Sequence, residues 1–396
     1  MTGSPNQTLR IITRTVWILS LVSLFNDIAS EMLIPVMPMF LKHIGFTVAI
    51  IGILEGVAEA VAGLSKSYFG RRSDNSGKRL PFVQLGYALS AISKPIMALL
   101  VYPAWIFFAR TLDRLGKGVR TAARDAMLSD EATPATKGRV FGFNRSMDTL
   151  GAVIGPSIAL AYLYYHPDDY KTLFLLTFAP GIVVILFTRL IKEKKKDPLS
   201  AGKRKKNSFF AFVHYWKESP TAYRKLVIGL LVFALFNSSD VFLLLRMKET
   251  GLNDTRILGI YIFYNLVYAI AAYPLGILAD KLGLKRIFLF GLLIFATVYA
   301  GFAFQQNMVI YLFLFVLYGL YTAATDGVSK AWITNVVDKK DTATAVGTYT
   351  GFQSIAALLA STGCGFLWYH FGAMATFLVT AGVTFVVIIY LLLMKE

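Results

Sequence analysis

Long apolar runs constrain this sequence more than any other feature, because about 20 consecutive apolar residues can cross a bilayer as one helix. Such runs recur along nearly the whole chain, from about Thr15 to Met394. Hydrophobic residues make up 56% of the chain and charged residues only 16%, whereas a soluble domain carries about 25% charged residues. The sequence therefore predicts an all-α integral membrane protein.

The basic residues are concentrated in the connections between apolar runs. The formal net charge is +17, and twelve of the Lys and Arg residues lie between Arg189 and Lys225. Cytoplasmic loops of membrane proteins carry such an excess. We therefore predict a plasma (bacterial inner) membrane protein with both termini cytoplasmic. Because these bases do not form a stripe on a folded face, no nucleic-acid partner is predicted, and the single Cys364 suggests neither a disulfide framework nor a metal cluster.

A hydrophilic motif interrupts the apolar runs twice, about 200 residues apart. Each copy has a glycine, an aspartate four residues later, a second glycine three residues after that, and then two basic residues. Such a glycine permits close helix approach, while the aspartate can cap the next helix and accept from a basic group. One copy alone could be a solvated charge run, but a repeat indicates architecture. We expect a gating role for six of its residues: Gly70, Asp74, Arg79, Gly276, Asp280 and Arg286.

This repeated motif resembles that of the major facilitator superfamily, which carries it between helices 2 and 3 and between helices 8 and 9. The resemblance implies twelve transmembrane helices in two pseudo-symmetric six-helix halves, with a transport site between them and alternating access. It also implies a monomer, and a central cavity lined by helices 1, 4, 7 and 10. The expected divisions are an N-terminal half (1–191), a basic linker with an amphipathic helix (192–221) and a C-terminal half (222–396).

Carboxylates within the first two predicted spans are candidates for proton coupling. Asp27 and Glu31 lie one turn apart in span 1, predicted from Thr15 to Leu41, and Glu59 lies in span 2. Two carboxylates so close in a low-dielectric site should not both stay ionised, and ionisable groups at that depth are usually functional. The alternative is a permanent pairing with bases that only braces the bundle.

Span 4 is the most charged span and supplies the main substrate-binding candidates. Arg110 and Arg114 lie one turn apart in it, and their planar donors suit a carboxylate or phosphate, with Asp113 or a span 1 carboxylate as resting partner. In span 5, Arg145 and Asp148 are expected to pair with each other. The remaining substrate-binding candidates, from spans 1, 7 and 10, are Asn26, Asn237, Asp240 and Asp326.

No enzymatic constellation is evident in the sequence. The four histidines fall in loops or at span ends, and no Gly-Lys-Ser/Thr phosphate loop occurs. We therefore expect no enzyme, no cofactor and no metal, but a proton-coupled secondary transporter. Its predicted partners are a small organic anionic or zwitterionic substrate, protons and membrane lipids, and export by antiport is the favoured direction. The alternatives are an uptake symporter and a non-transporting receptor on the same fold.

Overall fold

The structure, a computed structural model, describes residues 12–33, 36–37, 40–41, 44–46, 48–100, 102–167, 169–193, 211–252, 254–304 and 307–394. This part of the chain is helical and contains no β-strand. A helix lies at each of the twelve predicted spans, so the predicted fold class is confirmed. Broken helices are labelled here with the letters a and b.

Helices α1 to α6 precede the linker. They are α1 (Arg14–Glu31), α2 (Val48–Ser76), α3 (Leu80–Met97), α4 (Pro103–Asp130), α5 (Lys137–Tyr165), and α6, divided into α6a (Tyr170–Leu176) and α6b (Phe178–Arg189). The helix α1 ends at Glu31, and Met32 and Leu33 form a turn. The expectation of a continuous helix from Thr15 to Leu41 is therefore wrong.

The second half repeats this order after a short linker helix (Ala211–Glu218). Its helices are α7a (Thr221–Ala234), α7b (Val241–Glu249), α8 (Asp254–Leu282), α9 (Leu284–Phe304), α10 (Met308–Asn335) and the segment Thr342–Leu393, preceded by a 3-10 turn (Lys339–Asp341). Gly372 leaves the helical conformation inside that last segment with φ 79°. It separates α11 (342–371) from α12 (373–393).

Several of these helices have the surface and length of membrane spans. In the described part, six helical segments are long and apolar enough to cross a bilayer. The helix α4 is not among them, because charged residues interrupt its apolar sequence. Large apolar side chains are exposed on many helices, such as Phe313 (61%) and Leu358 (65%). A surface of this kind is suited to lipid rather than to water.

Contacts divide the chain into two compact units that do not coincide with its sequence halves. Unit 1 contains Met1–Thr133, Met147–Glu218 and Asp338–Gly351, and unit 2 contains Pro134–Ser146, Ser219–Val337 and Phe352–Glu396. The start of α5 therefore groups with unit 2, and the start of α11 groups with unit 1.

Within unit 1, α3 and α4 cross with their backbones in contact. A Cβ atom on Gly116 would lie 2.6 Å from the Gly86 carbonyl oxygen and 2.8 Å from Ser90 Oγ. Small residues allow such close approach, which drives helix association in a membrane. This crossing positions the charged residues of α4 beside Lys94 of α3.

Two helix ends do not follow the polar and apolar segments of the sequence. In both copies of the repeated motif the helix continues into the motif, α2 to Ser76 and α8 to Leu282, so both motif aspartates lie in the last turns of helices. The apolar segment 222–245 does not form one helix, because α7 is broken over residues 235–240. The break coincides with Asn237-Ser238-Ser239-Asp240, whose side chains compete with the helix for backbone hydrogen bonds.

Candidate functional site

The first copy of the repeated motif binds the beginning of α11. Asp74 Oδ2 accepts hydrogen bonds from the backbone N (2.7 Å) and the hydroxyl (2.8 Å) of Thr344, and Arg79 donates to Asp74 Oδ1 (3.2 Å). Arg79 also donates to Asp130 and to the Lys339 carbonyl (3.1 Å). A carboxylate is favourable at a helix N-terminus, where backbone N–H groups carry partial positive charge. We call Asp74, Arg79 and the first turn of α11 the first clasp.

Two residues near the linker extend the first clasp. Glu193 accepts hydrogen bonds from the backbone N atoms of Arg79 (2.5 Å) and Leu80 (3.2 Å), which caps α3. Tyr215 of the linker helix is 3% exposed. Burial, and then the charges of Asp341 and Asp74, raise the pKa of the Tyr215 phenol. Neither the interaction of Glu193 nor that of Tyr215 could be predicted from the sequence, because each joins segments that are far apart in the chain.

The second copy binds the beginning of α5 in the same way. Asp280 accepts from the backbone N atoms of Gly138 (2.6 Å) and Arg139 (3.0 Å) and from Arg139 Nε (2.8 Å). A Cβ on Gly138 would lie 2.5 Å from the Gly276 carbonyl oxygen, and one on Gly70 equally close to that of Ala343 in unit 1. We call Asp280 and the first turn of α5 the second clasp.

The helix that each aspartate caps is not the one that was expected. Each aspartate was expected to cap the next helix, but it caps a helix remote in sequence, because α2 and α8 extend past it. The basic residues also differ between the copies. Arg286 lies exposed, while Lys285 donates to the carbonyls of Leu392 (3.3 Å) and Met394 (2.7 Å).

A buried ionic cluster links α3 and α4 in unit 1. Asp113 lies 3.3 Å from Lys94 Nζ and 3.7 Å from Arg110 Nη1, so one carboxylate is shared by two cations. All three side chains are less than 10% exposed. Arg114, one turn further along α4, is half-buried. Sequence reasoning singled out both arginines and Asp113 but did not assign Lys94 to the cluster.

Two further α4 arginines have partners across the same unit. Arg120 donates to Ser90 (2.8 Å) and lies over the Tyr87 ring, with its guanidinium carbon 4.6 Å from the ring centroid. Arg124 bonds Asp125 (3.0 Å) and lies 3.5 Å from Asp148. The lower part of α4 is therefore held by carboxylates and an aromatic face.

Arg145 of α5 has partners in α8 and α10 that the sequence analysis did not predict. It pairs with Asp326 of α10 (2.7 Å) and donates to the Tyr268 hydroxyl, which itself donates to Asp326 (3.0 Å). The beginning of α5, up to Ser146, packs within unit 2, whereas Asp148 belongs to unit 1. Asp326, expected to contact substrate, thus lies in an ion pair that is about one-third exposed.

The α1 carboxylates lie where α1 and α5 cross. Asn26 Nδ2 donates to Asp27 Oδ1 (3.0 Å), and a Cβ on Gly151 of α5 would lie 2.9 Å from Asp27 Cβ. Asp27 and Glu31 are both half-buried. The helical position of Glu59 is in α2, but its side chain lies outside the described residues.

Unit 2 presents tyrosines beside the break in α7. Tyr318 donates to Asp240 (2.7 Å), Asn237 donates to the Tyr321 hydroxyl (3.0 Å), and Tyr264 stacks near Tyr318 with ring centroids 5.1 Å apart. Breaks in membrane helices are tolerated where backbone is buried in protein or lines a cavity, as at substrate sites. The sequence analysis placed Asn237 and Asp240 in the site but missed the tyrosines. Their helical spacing in α8 and α10 was the available signal.

A helical membrane protein with buried ionisable groups and two copies of a helix-capping motif has the features of a membrane transporter. In the described part, no group of three His, Cys, Asp or Glu residues could hold a metal ion. The chain belongs to the Major Facilitator Superfamily, whose sequence profile matches residues 19–264 and 241–396.

Individual proteins agree with this assignment. An uncharacterized MFS-type transporter of Methanocaldococcus jannaschii is 31% identical over 371 residues, covering 92% of this chain and 90% of the relative. Multidrug resistance protein 2 of Bacillus subtilis is 24% identical over 281 residues, covering 69% of each chain. The crystal structure of the human organic anion transporter MFSD10 (TETRAN) matches 98% of this chain and 100% of its own, with a TM-score of 0.79 and 15% identity. The last comparison shows the fold.

Proposed function

We propose that this transporter exports a small organic anion or zwitterion by proton antiport. It would act as a monomer in the plasma (bacterial inner) membrane, with both termini cytoplasmic. The observation that carries the substrate class is the Lys94–Asp113–Arg110 cluster, in which two buried cations share one carboxylate. Buried guanidinium and ammonium groups are rare within spans and bind carboxylates and phosphates well, so a substrate with such a group would be favoured beside them.

Two of the similar proteins support the direction and the sign of the substrate's charge. The Bacillus subtilis relative is named as a multidrug resistance protein, and the structural neighbour as an organic anion transporter. Those names describe other proteins. They agree with the charge of α4 and with export as the direction.

Coupling is assigned to Asp27 and Glu31, with Glu59 as a further candidate. Two half-buried carboxylates one turn apart repel each other, so a proton on one is favoured. An anionic substrate near α4 would change the electrostatic potential at these carboxylates. Proton and substrate binding would then be linked, because such a coupling energy acts equally in both directions.

The test uses purified protein in proteoliposomes with an imposed pH gradient, after a thermal-shift screen has found a substrate. An acidic lumen drives uptake by antiport, whereas an acidic exterior drives uptake by symport. We expect Asp27→Asn or Glu31→Gln to abolish gradient-driven accumulation while counterflow exchange continues. Glu218→Gln in the linker helix is the control and should behave as the wild type. If both variants still concentrate substrate, the proton site lies elsewhere, with Asp240 and Asp326 as the next candidates.

A further inference from the structure

A cavity of about 410 Å³ lies in unit 2 between α7b and the last turns of α11. Its walls include the rings of Phe242, Trp368 and Tyr369, together with Lys248 and Glu249. These residues recur at helical spacing on both helices, so two helix faces form the cavity. None of them belongs to the candidate sites described above.

The cavity lies at helix ends that face away from the basic linker. The linker leads into α7a, whereas α7b ends at Glu249, and α11 ends where Gly372 turns the chain into α12. Aromatic side chains are exposed here, including Tyr369 (85%), Phe366 (61%) and Phe371 (66%). Exposed aromatic residues at span ends are typical of the membrane–water interface. The cavity therefore lies at the level of the lipid headgroups.

The polar groups of the cavity are held in fixed positions. Trp368 Nε1 donates to Glu249 Oε1 (3.1 Å), and Arg246 Nη1 contacts Glu249 Oε2 (3.3 Å). The rings of Phe242 and Trp368 lie 5.8 Å apart. Aromatic faces next to a carboxylate attract an ammonium group, and a lysine attracts a phosphate.

We propose that this cavity binds the headgroup of a zwitterionic phospholipid. The ammonium group lies against the aromatic rings and Glu249, and the phosphate lies beside Lys248. The acyl chains continue along the exposed apolar side chains at its edge, among them Leu245, which is 45% exposed. With Lys248 and Glu249, the cavity carries both signs of charge, as such a headgroup does. This inference rests on the membrane location and is independent of the proposed substrate.

Because Gly365 has no side chain, it keeps open the space that the headgroup would occupy. A Cβ at this position would lie 3.8 Å from Phe242 Cζ, an ordinary contact, so alanine fits and a larger side chain must enter the cavity. Gly363, on the same helix, has no atom within 4 Å of such a Cβ and does not line the cavity. These two glycines give a matched pair of substitutions.

The experiment is native mass spectrometry of the purified full chain with added phosphatidylcholine, phosphatidylethanolamine or phosphatidylglycerol. We expect the wild type and Gly365→Ala to retain the first two lipids in preference to the third. Gly365→Leu should lose that preference, and Gly363→Leu should keep it. Glu249→Gln should weaken retention of phosphatidylcholine by about twofold to fivefold, as loss of a carboxylate beside an aromatic cage implies.

Three results would overturn the proposal. One is equal retention by Gly365→Leu and the wild type, and another is a preference of the wild type for phosphatidylglycerol. If Gly365→Leu fails to fold, Glu249→Gln decides the question, and unchanged phosphatidylcholine retention by that variant is the third. A transport assay of Gly365→Leu separates this proposal from the proposed function, since lost lipid binding with intact transport leaves the antiporter assignment standing.

Discussion

At the scale of single residues, the charge of Asp74 matters more than its size. Its carboxylate accepts hydrogen bonds from Thr344 at the N-terminus of α11 and pairs with Arg79. Asparagine keeps an acceptor but loses the charge that interacts favourably with the helix dipole, an effect of about 1 kcal/mol, or roughly fivefold in the population of the clasped state. We expect Asp74→Asn to reduce the transport rate severalfold at nearly unchanged expression, measured in proteoliposomes.

The control for this prediction is Asp338→Asn, because Asp338 lies before α11 with 74% of its side chain exposed. That variant should transport as the wild type does. An unchanged transport rate in Asp74→Asn would indicate that the motif fixes the topology of the chain and has no role in gating.

Arg110 and Arg114 provide a second prediction at this scale. Lysine in place of Arg114 keeps the charge but loses the planar pair of donors that binds a carboxylate or phosphate. We expect Arg114→Lys to weaken binding of the transported substrate about tenfold, measured as the substrate-induced shift in melting temperature over a concentration series. Arg72→Lys, at an exposed position of α2, should have no effect. A cationic or purely lipophilic substrate whose binding does not change would contradict the anion proposal.

The ionisable residues within spans could be found from sequence because their positions alone mark them as unusual. The partners of these residues could not be found from the sequence in this way. Asp326 is 181 positions from Arg145 in sequence, and the packing of the beginning of α5 brings the two side chains within 2.7 Å. Local spacing specifies which side chains share a helix face, whereas tertiary packing decides which partner is close enough to bind.

At the scale of helices, the α3–α4 crossing depends on Gly116. A methyl group there would lie 2.6 Å from the Gly86 carbonyl oxygen and 2.9 Å from the Ser90 backbone N, and neither can move without shifting a backbone. We expect Gly116→Ala to lower stability by about 1–3 kcal/mol, the usual cost of overpacking. The measurement is the melting temperature of the detergent-solubilised protein. Gly363→Ala is the matched control, and its free surroundings predict no loss and a small gain from helix propensity.

Equal melting temperatures for Gly116→Ala and Gly363→Ala would show that α3 and α4 can separate at no cost. The prediction also bears on function, since this crossing positions Lys94 next to Asp113. A destabilised variant should therefore also bind substrate more weakly.

The helices themselves were largely predictable, because apolar length and proline positions mark where spans begin. The helix α4, for example, begins at Pro103, and proline is common in the first turn of a helix. The break in α7 was not predicted. Leucine and phenylalanine on either side continue the apolar pattern, and the structure shows that the polar residues between them interrupt the helix, with Asn237 donating to Tyr321 of α10.

At the scale of the whole molecule, the two compact units exchange segments between the sequence halves. Residues 338–351 belong to unit 1, and residues 134–146 belong to unit 2. We predict that a protease site inserted within residues 194–210 will leave the two fragments associated after cleavage. Co-purification on a tag at one terminus is the measurement.

A variant with both aspartates changed tests whether the clasps hold the cleaved fragments together. Asp74→Asn combined with Asp280→Asn removes the charge from both clasps, and should increase dissociation of the cleaved fragments. Complete separation of wild-type fragments in mild detergent would show that the exchanged segments do not hold the protein together.

The repeat in the sequence was sufficient to predict two related halves, and membership in the superfamily confirms it. It could not show that Asp74 binds a residue 270 positions away. A motif shows that two positions are equivalent, but only the fold shows what each position contacts. The sequence thus indicated most of the ionisable residues of the candidate site but not the residues that each of them contacts.

The clasps also affect how such a chain can change over evolutionary time. Asp74 and Asp280 bind backbone N–H groups at Thr344, Gly138 and Arg139, and every amino acid except proline provides such a group. Backbone recognition lets Thr344 and Arg139 drift while this part of each contact survives, whereas the close approach of the Gly276 carbonyl leaves no room for a side chain at Gly138. Methods that infer contacts from correlated substitutions should therefore detect these two interactions weakly. Proline substitutions that cannot be tolerated at these three positions would be the clearest evolutionary trace of the clasps.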